Sequence, residues 1–149
     1  MPRKVFFSFH YQRDLWRVNV VRNSGVIEGI SAAGFHDQSL WEDTERKGDD
    51  AVKRLIDSGL SGTSVTVVLI GAETASRRFV SYEIEKSIAR GNGLLGMWIN
   101  NIKDKDGRTD AQGAVPAALV QTGAPVYTYE YGRLAGWVED AYKKTHPNS

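Results

Sequence analysis

The chain has 149 residues, about the length of one domain, and its 41% apolar content supports one hydrophobic core, which excludes a second sizeable domain and wholesale disorder. Its 19 basic and 18 acidic residues are interspersed for a formal charge of +1, which argues against nucleic acid or an anionic membrane as partner, since both select a concentrated basic surface. No cysteine is present, so disulfides, thiolate metal sites and cysteine nucleophiles are excluded; no apolar run approaches the ~18 residues of a membrane span, residues 1–10 do not read as a signal peptide, and a cytoplasmic setting is expected.

Lys4 to Phe9 (KVFFSF) is a short β-branched and aromatic run between Pro2 and a polar cluster, and reads as a buried strand. Asp14 stands where a helix cap belongs, and Leu15, Trp16, Val18 and Val21 offer an apolar side that ends at Asn23-Ser24-Gly25. Gly34 to Leu40 reads as a second strand, followed by a charged, non-periodic stretch from Trp41 to Asp49. Asp49 or Asp50 caps a helix with Val52, Leu55 and Ile56 on one face, ending near Gly59. Val65 to Ile70 (VTVVLI) is apolar at nearly every position, as a strand covered on both faces requires. Beyond the loop Gly71 to Ser76, the stretch Arg77 to Arg90 is a helix with Val80, Ile84 and Ile88 at i, i+4 and i+8, closed by Gly91-Asn92-Gly93. Leu94 to Ile99 is a fourth strand, Asn100 to Gly113 a polar loop, and Val115 to Val120 a short helix. Pro125 to Tyr129 is a fifth strand, and Arg133 to Lys144 a last helix with Leu134, Trp137, Val138 and Ala141 inward, before a frayed tail from His146.

Strands alternating with helices specify an α/β architecture, because parallel neighbours need crossover connections. The expectation is a single domain over 1–149, with its core from about residue 4 to 144. Its fold is a three-layer flavodoxin-like one, a five-stranded parallel sheet in the order 2-1-3-4-5 with helices on both faces. The crevice of such a sheet lies at the carboxyl ends of strands 1 and 3. Any site then uses the loop after Phe9 (His10, Tyr11, Gln12, Arg13) and the loop after Ile70 with the first turns of its helix. A phosphoacceptor receiver needs an acidic pair after strand 1 and an aspartate ending strand 3, and neither is there. A flavin or dinucleotide site needs a Gly-rich or Ser/Thr-rich phosphate loop, which His-Tyr-Gln-Arg-Asp is not.

What remains is a polar and aromatic set around a helix bearing Glu83 and Glu85. At ~100° per residue, each glutamate lies ~100° from the centre of the Val80/Ile84/Ile88 stripe, on opposite flanks, so periodicity does not choose between them. Glu83 is nearer the strand-proximal end. A solvated helix-flank carboxylate is the plain alternative for both.

At these residues the chain resembles a known family. KVFFSFHYQRD is similar to the opening "(V)FISY…D" box of Toll/interleukin-1 receptor (TIR) domains. SRRFVSYEIEKSI resembles their third box, with Ser76, Phe79, Val80 and Glu83 at the serine, aromatic, small-residue and glutamate positions; Phe79 replaces the usual tryptophan and Val80 the frequent cysteine. FSFHYQRDLWRVNVVRNSG is similar, more narrowly, to the TIR-like subgroup that includes the signal-making component of the bacterial Thoeris anti-phage system. The resemblance separates Glu83 from Glu85.

It implies an enzyme that cleaves the nicotinamide–ribose bond of NAD⁺, with Glu83 as the essential carboxylate, NAD⁺ as substrate, and no cofactor or metal. Capture of the ribosyl cation by water gives ADP-ribose. Capture by the adenine end or a ribose hydroxyl gives a cyclic ADP-ribose isomer, the outcome the Thoeris-type resemblance favours, and that product activates a separate effector protein. Self-association through TIR contacts and a phage-derived trigger are further implied partners. Phe9, Tyr11 and Trp41 are candidates to stack on adenine or nicotinamide, against ordinary packing. His10 is a candidate to contact a phosphate or hydroxyl and Arg13 the diphosphate; Ser76 and Asp14 complete the substrate-binding set, Asp14 with a helix cap as its alternative. His10, His36 and His146 lack metal-ligand spacing. The competing function is a non-catalytic TIR interaction module.

Overall fold

A computed structural model of the protein describes residues 4–23 and 43–147, the side chains of Tyr11, Gln12 and Asn23 excepted. Its elements, in chain order, are β1 (Val5–Ser8), α1 (Tyr11–Asn23), α2 (Asp49–Leu60), β2 (Val65–Ile70), a 3-10 turn (Thr74–Ser76), α3 (Arg78–Arg90), β3 (Gly93–Trp98), α4 (Ala117–Thr122), β4 (Val126–Thr128) and α5 (Leu134–Thr145). The strands form one parallel sheet in the order β1-β2-β3-β4. Ser8 pairs with Val68, and Ile70 with Trp98, so β1 and β2 deliver their carboxyl ends side by side.

The described sheet thus has four strands, where the sequence pattern predicts five. They are predicted strands 1, 3, 4 and 5, in that mutual order; the predicted strand Gly34–Leu40 lies outside the described residues. The α/β class, with a parallel sheet flanked by helices, follows from the pattern of β2, whose six residues are all buried. Val68 and Ile70 pack with Val80 and Ile84 of α3 and Leu119 of α4. The alternate positions Val65, Val67 and Leu69 join Val18 and Val21 of α1 and Leu134, Trp137 and Val138 of α5 in the larger core cluster. The period-2 alternation of β2 therefore sorts the helices between two faces.

Three helices differ in detail from expectation. In α2 the N-cap is Gly48, with Asp49 and Asp50 inside the first turn and no side-chain cap bond. Asp14 does not cap α1. The helix starts earlier, His10 Nδ1 accepts the Arg13 N–H at 3.3 Å, and the buried face is Asp14, Arg17, Val18 and Val21, with Trp16 52% exposed. In α3 the buried face is Val80, Glu83, Ile84 and Ser87, and Ile88 is half exposed. At ~100° per residue, that face is centred ~50° from Glu83 and ~150° from Glu85.

Candidate active site

Ser8 ends β1 and, two residues on from Phe6, shares its face of the sheet. It is the one hydroxyl in an otherwise apolar run and is fully buried, so its O–H must find a partner inside the protein. That partner is Glu83, one turn into α3. Ser8 Oγ donates to Glu83 Oε1 at 2.7 Å. Glu83 is 5% exposed, and burial pushes its carboxyl up to about 8, with the Ser8 hydrogen bond acting in the opposite direction. A glutamate in this environment holds its proton at neutral pH until something in the site favours the anion. Glu85 is exposed on the far side of the helix, where it lines a surface hollow with Asp49, Lys53, Arg78 and Tyr82.

On the opposite face of the sheet, α1 and the loops after β2 and β3 interlock. Asp14 is 1% exposed and lies so close to Gly71 that a β-carbon there would collide with its carboxylate. Its Oδ1 has no hydrogen-bond partner among the described residues, and only a long 3.5 Å contact from Thr74 Oγ1 reaches Oδ2. Burial raises its carboxyl to about 6, against the lowering effect of Arg13 and Arg17. Arg13 bridges Glu73 at 2.7 Å and Asp110 at 2.9 Å. Arg17, 6% exposed, donates to the Ile102 and Arg108 carbonyls at 2.7 and 2.9 Å. His10, half-buried, has its pKa lowered by burial and then by the Arg77 charge, with Glu73 opposing.

Of the residues singled out from sequence, His10, Arg13, Asp14 and Glu83 flank the carboxyl ends of β1 and β2 from the two sides. Phe9 is buried in the larger core cluster. Ser76 is exposed, its hydroxyl donating to the Glu73 carbonyl at 2.8 Å. Tyr11 opens α1, and its side chain, like all of Trp41, lies outside the described residues. Ser8 and Arg17 went unselected by sequence. A lone serine in a strand covered on both faces was the available signal for the first. The partners of Arg17 lie 85 and 91 residues away, beyond the reach of local pattern.

Among the described residues no group of three or more His, Cys, Asp or Glu is placed to hold a metal ion, and no helix is long and apolar enough to cross a membrane. The description of the family "Thoeris protein ThsB, TIR-like domain" matches residues 6–104. A curated relative from Bacillus cereus (strain MSX-D12), named "Putative cyclic ADP-D-ribose synthase ThsB1", is 54% identical over 154 aligned residues, which span 99% of this chain and 79% of the relative.

Proposed function

We propose, from the premise that this chain belongs to the TIR-like domain family of Thoeris protein ThsB, that it cleaves the nicotinamide–ribose bond of NAD⁺ and closes the product into a cyclic ADP-ribose-type signal. The buried Glu83, hydrogen-bonded at the end of β1, is the observation that carries this reading, and the name of the 54% identical relative supports the same product class.

The C1′–N bond breaks with its electron pair going to the pyridinium, which leaves as neutral nicotinamide and needs no proton. The ribose is left as an oxocarbenium-like cation. A carboxylate close to C1′ in a site shielded from water stabilises that charge far more than it would in bulk solvent. The positive charge of NAD⁺ favours the ionised form of Glu83, so substrate binding is itself the event that draws off the proton. Capture of the cation by a ribose hydroxyl forms the ring bond and releases the hydroxyl proton. Capture by an adenine nitrogen forms it at the base. Exclusion of water decides between ring closure and hydrolysis. His10, Arg13 and Asp14 are the proposed contacts for the phosphate and ribose portions, and Phe9, Tyr11, Trp41 and Ser76 the remaining substrate-binding set. The product acts on a separate effector, with a phage-derived trigger and TIR contacts between copies as the proposed control.

The test is incubation of the purified protein with NAD⁺, alone and with extract from phage-infected cells, with nicotinamide release and product mass followed for wild type, Glu83→Gln and Glu85→Gln. Cyclic product is expected from wild type and Glu85→Gln and is expected to be lost in Glu83→Gln. No turnover in either condition, with phage protection intact in Glu83→Gln, overturns the enzymatic reading in favour of a TIR interaction module.

A further inference from the structure

We propose that Ser8 is a positioning residue for Glu83, fixing its carboxyl at the carboxyl end of β1 and supplying the hydrogen bond that favours the ionised form. The inference rests on the reading of Glu83 as the reacting carboxylate, and the geometry beneath it is independent of that reading. Ser8 is fully buried on a strand whose backbone is locked to β2 through the pairing of Ser8 with Val68. Its hydroxyl therefore has a fixed place relative to the sheet. The helix that carries Glu83 is pinned separately, one turn further on. Ser87 Oγ donates to the Glu83 carbonyl at 2.7 Å and lies 2.6 Å from Thr66 Oγ1, which in turn accepts from Asn92 Nδ2 at 3.2 Å. The α3 backbone is thus held to β2 at Thr66, and the Glu83 carboxyl to β1 at Ser8. Two anchors on adjacent strands leave the carboxyl little freedom to rotate away from the sheet end.

Among the described residues, the surroundings leave Ser8 as the polar influence on this group. On the shared face, Phe6 of β1, Val68 and Ile70 of β2, and Val80 and Ile84 of α3 are apolar, and Thr66 and Ser87 are uncharged. Where α2 packs against α3, the ionisable side chains Asp49, Asp57, Arg78 and Tyr82 are engaged with one another in exposed contacts. Beyond the end of β1, the charges acting on His10 are Arg77, Glu73 and Arg13, and Glu83 is not among them. Among the described residues, burial and then the Ser8 bond act on the Glu83 carboxyl. An O–H donor strengthens its bond when the acceptor becomes an anion, so it favours ionisation.

Ser8→Ala removes one oxygen and demands no extra space; Ser8→Thr keeps the hydroxyl. The ionisation midpoint of Glu83 is read without substrate, by carbon NMR of side-chain-labelled glutamate assigned with Glu83→Gln, and again from the pH dependence of kcat/KM for NAD⁺ cleavage. The midpoint near 8 is expected to rise by about one pH unit or more in Ser8→Ala, with kcat/KM at pH 7 falling about tenfold, and to return toward wild type in Ser8→Thr. An unmoved midpoint, with activity lowered equally at every pH, overturns the proposal and leaves Ser8 a packing residue. A midpoint that moves in the NMR titration of a protein that leaves NAD⁺ intact supports the Ser8–Glu83 coupling and overturns only the enzymatic reading.

Discussion

In Glu83→Gln the side chain keeps its length and its capacity to accept the Ser8 hydroxyl but loses its proton equilibrium. The wild-type carboxyl titrates at about 8 in the folded protein against an ordinary value of 4.5. The folded chain therefore binds this proton more tightly than the unfolded chain does. The stability this proton contributes is fully present below about pH 4.5 and is lost as pH rises through about 8. Each pH unit in that interval removes at most about 1.4 kcal/mol, so the carboxyl takes away up to about 3 kcal/mol by pH 7 and about 5 kcal/mol by pH 9. Glutamine carries none of this dependence. Melting of the two proteins, followed by circular dichroism at pH 5 and pH 9, should give similar Tm values at the lower pH and a variant that melts higher at pH 9. For a chain of this size each kcal/mol moves Tm by about 2–4 °C, so a separation of roughly 10 °C is expected. Other groups titrate over this range, Asp14 included, and they cancel in the comparison of variant with wild type. Parallel melting curves from pH 5 to pH 9 would refute the reasoning, because they require a carboxyl that stays solvated in the folded protein.

Gly71→Ala should destabilise by about 1–3 kcal/mol, since its β-carbon collides with the Asp14 carboxylate; denaturant midpoints for the single variants and for Asp14→Ala/Gly71→Ala should reveal a favourable coupling in the double variant. Arg17→Ala leaves two loop carbonyls without their donor and should cost about 2–3 kcal/mol, with limited proteolysis shifting to the 100–113 loop. Asp14→Asn should remove the contribution to stability that the Asp14 carboxyl loses as pH rises from 3.8 through about 6, the sign following from its raised carboxyl, as denaturant midpoints at pH 4 and pH 7 would show. Asp49→Ala breaks an exposed pair with Arg78 and should change the denaturation midpoint by less than about 1 kcal/mol in stability.

The architecture was legible wherever a segment's neighbours are all apolar. VTVVLI has the bounds of β2 to the residue, and the positions expected inward in the last helix, Leu134, Trp137, Val138 and Ala141, are its buried residues. Reading failed where buried polar groups replace apolar ones. Asp14 and Arg17 occupy the inner face of α1, Arg17 because its guanidinium meets the carbonyls of a distant loop and Asp14 wedged against Gly71 with its Oδ1 unpaired among the described residues, and Trp16 is left outward. Ser87 is buried in α3 because its hydroxyl bonds Thr66 and the Glu83 carbonyl, and this turns the helix so that Glu83 faces inward while Ile88 does not. Hydrophobic periodicity alone therefore could not rank Glu83 above Glu85, and the family resemblance was needed to do so. The pairing of Ser8 with Glu83 spans 75 residues, a separation at which only the assembled sheet brings the two together.

A methyl group at Gly113 would collide with the carbonyl of Gly71, just as one at Gly71 would collide with Asp14. Three chain segments are stacked there with no slack between their atoms. Any attempt to diversify this protein by random libraries should treat positions 14, 71 and 113 as one joint choice, sampled together or left alone. Mutational scanning that varies them singly would record three intolerant sites and miss the combinations that remain open.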